Sequence, residues 1–368
     1  MKKSRANKKF NYTITLYFNF KTTTKIWSGL IEYKKNGVRK DNVLIRKNCI
    51  EIKGIRNLNT HVASFESMKA SFSNKANNTF YKQVTKCLCI YYLLMKSPKQ
   101  ITSIEISNSD LEKINKRYVW KANKIQQAVL EKSILKRIPK ICDQSLARII
   151  QEDDKARGCL NAAIYYIKSM DAKTVQERFE KLWQAFNALY KVLANKTSDH
   201  ECHVKLRTYM LDNPLEFGAS SLICDSITVK EIRANTRWIK MIQNNYNTPR
   251  QMKSLKECID RKKDYRLGKV YYDILPVREK KLKNAGLYNA VCTQLNKILA
   301  DNVKNNIDLA STLVLSYGYY LRNKMIHAEK VDLGFSVFQE SEEHKQTEWM
   351  SQILECVVAD LLNICYKF

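Results

Sequence analysis

Histidine is scarce in this chain of 368 residues: only five occur, so each can be weighed as a chemical group. Glycine and proline are also few, nine and five, which excludes long flexible linkers and points to mostly regular structure. No apolar stretch approaches the roughly 20 residues a membrane-spanning helix needs. The longest, Cys87 to Met95, reaches about half that length. The basic N-terminus runs into alternating polar and apolar residues rather than a signal-peptide core, so the expectation is a cytoplasmic protein with no membrane partner. Eleven cysteines are scattered without any CxxC pair. An odd count without regular spacing argues against a disulfide framework and makes most of them small buried hydrophobes.

Acidic residues are the other shortage. Thirty-six Asp and Glu face 64 Lys and Arg, leaving a formal charge of +28. Such a surplus gives the surface a positive field whose natural partners are polyanions. Hydrophobic residues at 45% and charged residues at 27% are ordinary globular composition, and the length suits two domains.

The period of the hydrophobic pattern divides the chain and predicts an α+β fold. Tyr12, Ile14, Leu16, Phe18 and Phe20 alternate with polar residues, as in a half-buried strand. Residues 26–35 form a second strand candidate that runs into Asn36-Gly37, a pair suited to a tight hairpin. Residues 43–46, 49–53 and 101–106 complete a β-rich, basic domain over 1–108, with a net +11 in its first fifty residues. From Ser109-Asp110 the reading turns helical, through Arg117 and again over 126–136, as a connector over 109–150.

A helical domain is expected over 151–368. Glu152-Asp153-Asp154 opens one helix, and Thr174 with Glu177 marks the start of the next. Phe179, Leu182, Trp183, Phe186, Leu189, Tyr190 and Leu193 then share one face, as core does. Asn306 or Asp308 is expected to cap a helix through Leu309, Leu313, Tyr317 and Leu321. A final helix near 347–366 carries a stripe from Met350 to Cys365, as core or a dimer face.

Within a basic insertion at about 200–300, residues 230–283 hold 16 basic and 6 acidic residues, interleaved with Trp238, Tyr246, Tyr265, Tyr271 and Tyr272. Basic groups contact phosphates and aromatic faces stack unpaired bases, the combination used on single-stranded RNA. Arg237, Trp238, Lys240, Arg261, Lys262, Lys263 and Arg266 are the candidate contacts. The competing reading is a solvated helical face whose aromatics point inward.

Of the histidines, His200 and His203 cluster with Asp199, Glu201 and Cys202. They lack a second ligand pair at zinc-finger spacing and read as a polar loop between helices. His344 falls in a charged run and reads as exposed. His327 is different, because it closes the string Leu321-Arg322-Asn323-Lys324-Met325-Ile326-His327 at the end of an apolar helix. A guanidinium can hold a phosphate and stabilise charge developing on it. An imidazole can take a proton from a ribose hydroxyl or give one to a leaving oxygen. RNA supplies its own 2′-hydroxyl nucleophile, so no metal or other cofactor is required.

Arg-Asn-x-x-x-His near a helix end resembles the signature of the HEPN ribonucleases, and residues 179–190 resemble an early helix of their Apea-like, abortive-infection branch. That branch often has Glu where this chain has Asn187. The resemblance covers about 156–368. It implies that Arg322 binds phosphate, Asn323 orients the site and His327 is the acid/base of a metal-independent endoribonuclease. It also implies a phage-defence or toxin effector, for which a cognate inhibitor is a further possible partner. Arg56-Asn57 with His61 repeats the spacing, but follows a strand-like run into an Asn-rich stretch. Residues five apart on an unbroken helix diverge by roughly 140°. Either the helix breaks between Arg322 and His327, or a second copy completes the site. HEPN nucleases resemble the latter, so a symmetric homodimer is expected. The alternatives are a non-catalytic RNA-binding protein of the same fold and, less favoured, a DNA-binding protein.

Overall fold

The computed structural model describes residues 9–33, 39–57, 79–95, 99–109, 115–125, 139–326 and 341–368. The Asn36-Gly37 turn, the helix expected over 126–136, His61 and His327 lie outside those residues. The chain forms two compact units, Met1–Asp171 with Leu362–Phe368, and Ala172–Leu361. The fold is α+β: the first unit carries an antiparallel sheet, and the second is built of helices.

The sheet contains β1 (Lys9–Phe18), β2 (Lys25–Tyr33), β3 (Arg39–Arg46), β4 (Cys49–Asn57), β5 (Ile101–Ser109) and β6 (Asn115–Lys121). Their order is β2-β3-β4-β1-β5-β6, and every described pairing is antiparallel. Period-two alternation fixes the register. Tyr12, Ile14, Leu16 and Phe18 of β1 are buried alongside Ile50 and Ile52 of β4, because a one-residue slip would turn all of them to solvent. Arg56 and Asn57 belong to β4, so the first motif copy begins on a strand rather than in a loop.

One expectation fails in this unit, and one helix is added to it. The apolar run near Cys87 is the helix α1 (Thr79–Leu94), inside the region read as β-rich. Its Tyr91 stacks on Phe18 with ring centroids 4.1 Å apart, and Phe80 meets Tyr12 edge-on at 4.9 Å. Burial at Phe80, Val84, Cys87, Ile90, Tyr91 and Leu93 follows helical spacing, which the strand signals on either side obscured. Of the helix expected from Ser109 through Arg117, Ser109 instead ends β5 and residues 115–117 begin the strand β6, while 110–114 lie outside the described residues. There Tyr118 pairs with Ile106 and Trp120 with Ile104, so aromatic cross-strand packing overrides the capping signal of Ser109-Asp110.

Past Pro139, α2 (Asp143–Ile149) and α3 (Asp154–Met170) complete the first unit. Asp153 caps α3 by accepting from the Ala156 N–H, and also receives both terminal nitrogens of Arg148. The buried Lys86 amino group donates to the carbonyls of Ile150 and Gln151 and to Glu152. The chain terminus packs here too, with Asn363 accepting from Cys142 N and Ser145 Oγ.

The second unit comprises α4 (Val175–Ala194), α5 (Asp199–Asp212), α6 (Gly218–Ser226), α7 (Val229–Asn235), α8 (Trp238–Asn245), α9 (Pro249–Asp260), α10 (Tyr265–Tyr272), α11 (Leu275–Asn284), α12 (Tyr288–Asp301), α13 (Asn306–Thr312), α14 (Tyr319–Ile326) and most of α15 (Glu342–Asn363). Thr174 caps α4 through the Glu177 N–H, while the Glu177 carboxylate accepts from Lys173 N rather than from Thr174. Arg178 ties α4 to α15 by ion pairs with Glu348 and Glu355. The α4 stripe is buried except for the half-exposed Leu193, and the α15 stripe from Met350 to Leu361 is core within one chain. Asn305, one residue earlier than expected, caps α13. A π-helical turn, Leu313–Gly318, joins α13 to α14, with Leu309, Leu313, Tyr317 and Leu321 all buried. Among the described residues no helix is long and apolar enough to cross a membrane.

Candidate active site beside the π-turn

Arg322 sits one turn into α14, immediately after the π-helical turn. A π-turn inserts an extra residue into the helical ladder and resets the direction of every side chain beyond it, and such turns are common at functional sites. Arg322 is half-buried. Its Nη1 donates to Asn323 Oδ1 at 2.9 Å, and its guanidinium lies 6.0 Å over the Tyr319 ring. A cation on an aromatic face is held by about 0.5–2 kcal/mol. Its Nε is buried without a hydrogen-bond partner, and among the described residues no carboxylate pairs with it. The cation is therefore positioned, and among the described residues nothing neutralises it. The backbone stays helical from Arg322 through Ile326, so no break occurs over those residues.

Tyr319 joins Arg322 to the cluster around His200 and His203. His203 meets Tyr319 edge-on at 5.3 Å and Tyr190 at 5.0 Å. Tyr190 donates its hydroxyl to Asp199 at 3.0 Å. His200, Cys202 and His203 are not in a loop. They occupy the first turns of α5, whose buried residues Cys202, Leu206 and Met210 recur every fourth position. Ser198 with Glu201 is a helix-start pattern that could have revealed it. Burial pushes the His203 imidazole down to about 4, outweighing the Asp199 carboxylate, so it is neutral at neutral pH. Its Nε2 is buried with no partner. Burial, reinforced by Asp199, raises the Tyr190 phenol well above its ordinary range. His344 lies half-buried on the first turn of α15 rather than exposed.

A cavity of about 240 Å³ opens beside this cluster, lined by Asp199, His200, His203, Tyr246, Ser316 and Tyr319 among others. The π-turn contributes Ser316 to its wall. Among the described residues no group of three or more His, Cys, Asp or Glu is arranged to hold a metal ion.

The seven basic-insertion candidates separate. Lys240 is exposed and, with the half-buried Arg237, lines a groove of about 1240 Å³ that also presents Tyr272 and Tyr288. Arg237 is already paired with Glu343 at 3.0 Å. Arg261 and Lys263 are exposed but do not line that groove. Trp238, Lys262 and Arg266 are corrections. Trp238 is 3% exposed and packs edge-on against Tyr271. Lys262 is buried with its amino group on Thr312 Oγ1 at 2.9 Å. Arg266 has no exposed surface, and its guanidinium is spent on Asp264, the Cys224 and Ile227 carbonyls and Asn306. A short-period helical array buries whichever basic residue faces inward, and composition cannot distinguish that face.

No protein-family model matches this chain, and no curated protein or solved structure matches it either.

Proposed function

We propose that this chain is a metal-independent endoribonuclease in which Arg322 holds the scissile phosphate, Asn323 orients the guanidinium and His327 moves the proton. The observation that carries the reading is Arg322 itself: a half-buried cation fixed by Asn323 and the Tyr319 face, with no carboxylate paired to it among the described residues. Most arginines of the second unit are spent on acids, as Arg178, Arg207, Arg233 and Arg266 are. A positioned, unneutralised guanidinium is the group that stabilises a phosphorane-like transition state. The 2′-hydroxyl attacks the adjacent phosphorus, His327 assists proton transfer, and the products are a 2′,3′-cyclic phosphate and a 5′-hydroxyl. Unbroken helix through Ile326 supports completion of the site by a second copy, with the two motifs facing across a two-fold axis. A defence or toxin role in the cytoplasm, restrained by an inhibitor, belongs to the same proposal.

The test is cleavage of end-labelled RNA in EDTA by the wild type, Arg322→Ala and His327→Ala. Loss of roughly 10²–10³ in rate is expected for the arginine variant. If wild type binds RNA but never cuts it, the chain is instead a non-catalytic RNA-binding protein, a reading that exposed Lys240, Arg261 and Lys263 equally serve.

A further inference from the structure

Four observations converge on the cavity beside Tyr319. Its walls combine aromatic residues, Tyr246 and Tyr319, with small polar groups, Ser316, His200 and Asp199. One imidazole nitrogen in its lining residues, His203 Nε2, is buried without a partner. The π-turn carries Ser316 to the cavity wall, six residues ahead of Arg322. Tyr319 is shared: it lines the cavity and lies under the guanidinium of Arg322. At about 240 Å³ the space falls below the roughly 300–1,000 Å³ of sites for drug-sized ligands, and suits one ring system rather than a whole nucleotide.

We propose that this cavity is a subsite for one unpaired nucleobase of the RNA whose phosphate Arg322 holds. The inference rests on the phosphate role of Arg322 and adds the part of the substrate that is selected. The chemistry matches a base better than a second phosphate. Asp199 brings a carboxylate to the wall, which repels an anion, whereas a base edge presents N–H donors to a carboxylate acceptor. His203 is kept neutral by burial, so it gives a phosphate no counter-charge but can exchange a hydrogen bond with a ring nitrogen or carbonyl. Tyr319 and Tyr246 bring aromatic rings to the wall, and base–aromatic stacking is the sequence-tolerant contact of single-strand binders. Tyr319 touches both the cavity and Arg322, so base selection and phosphate binding share one aromatic residue.

The experiment is equilibrium binding of the four ribonucleoside 5′-monophosphates and of ribose 5-phosphate, which has the sugar and phosphate but no base. Wild type, Ser316→Leu, His200→Ala and Arg322→Ala are compared, with circular dichroism and thermal melting to establish that each is folded. At least one nucleotide should bind wild type about tenfold tighter than ribose 5-phosphate, equivalent to about 1.4 kcal/mol. Ser316→Leu, by filling the cavity, should erase that advantage while leaving ribose 5-phosphate unaffected, and His200→Ala should reduce it. Arg322→Ala should weaken nucleotide and ribose 5-phosphate alike. Equal affinity of nucleotides and ribose 5-phosphate for wild type would overturn the base subsite while leaving the phosphate role standing. So would an undiminished advantage in folded Ser316→Leu. Unchanged ribose 5-phosphate binding in Arg322→Ala would sink the phosphate role instead, and an advantage erased by Ser316→Leu would still support the base subsite.

Discussion

Replacing Arg266 separates a structural cation from an RNA-binding one. Arg266 and Asp264 are both fully buried and 2.8 Å apart, and the remaining guanidinium donors meet two carbonyls and Asn306. In Arg266→Met, Asp264 keeps hydrogen bonds from the backbone N–H groups of residue 266 and of Asn305 but loses its counter-charge. Removing one partner of a buried ion pair costs about 3–5 kcal/mol, because the other charge is left uncompensated. For a unit the size of Ala172–Leu361, about 2–4 °C is lost per kcal/mol, so Tm should fall by roughly 6–20 °C. Arg266→Met combined with Asp264→Asn removes both charges and keeps the helix cap, and should recover most of that loss. Differential scanning calorimetry measures both variants. A Tm within a degree of wild type, with RNA affinity lost, would refute the buried assignment and return Arg266 to the binding surface.

Lys240→Ala should behave in the opposite way. It should leave Tm unchanged but lower RNA affinity uniformly across sequences and reduce the slope of log K against log salt by about 1, measured by fluorescence anisotropy. His203 sets a pH dependence. It binds its proton near 6.5 when unfolded and at about 4 when folded, so between these values the unfolded chain holds more protons. Stability should therefore fall as pH drops from 6.5 toward 4, and His203→Gln should flatten this slope in urea titrations across that range. Gly54→Ala should destabilise the first unit by about 1–3 kcal/mol, because the added methyl meets the Asp41 carboxylate and the Tyr12 ring on the neighbouring strands.

Strands β1 to β5 were legible because their faces differ in polarity. At β1, the alternation from Tyr12 to Phe18 maps directly onto burial. The α4 and α15 stripes were legible for the same reason at helical period. What escaped the sequence reading were places where tertiary context outranks local pattern. The Cys87 run packs a helix on a sheet, and the Ser109-Asp110 signal yields to the pairing of β5 with β6. At the candidate site, Arg322 and Asn323 were legible as a motif, whereas His203 and the cavity were not. They meet Arg322 through Tyr319, more than a hundred positions away from His203 in sequence. Lys262 and Arg266 were misplaced because charge composition carries no information about which face of a helix is buried.

In the proposed reaction RNA is severed by its own 2′-hydroxyl, with Arg322 steadying the phosphate. A single 2′-deoxynucleotide placed 5′ to the scissile phosphate tests this most directly, read by gel and by mass spectrometry of the new ends with EDTA present. Cleavage at that position should disappear, while neighbouring sites with intact hydroxyls are still cut and yield 2′,3′-cyclic phosphate and 5′-hydroxyl termini. Continued cleavage at the deoxy position, or products ending in 5′-phosphate, would contradict it.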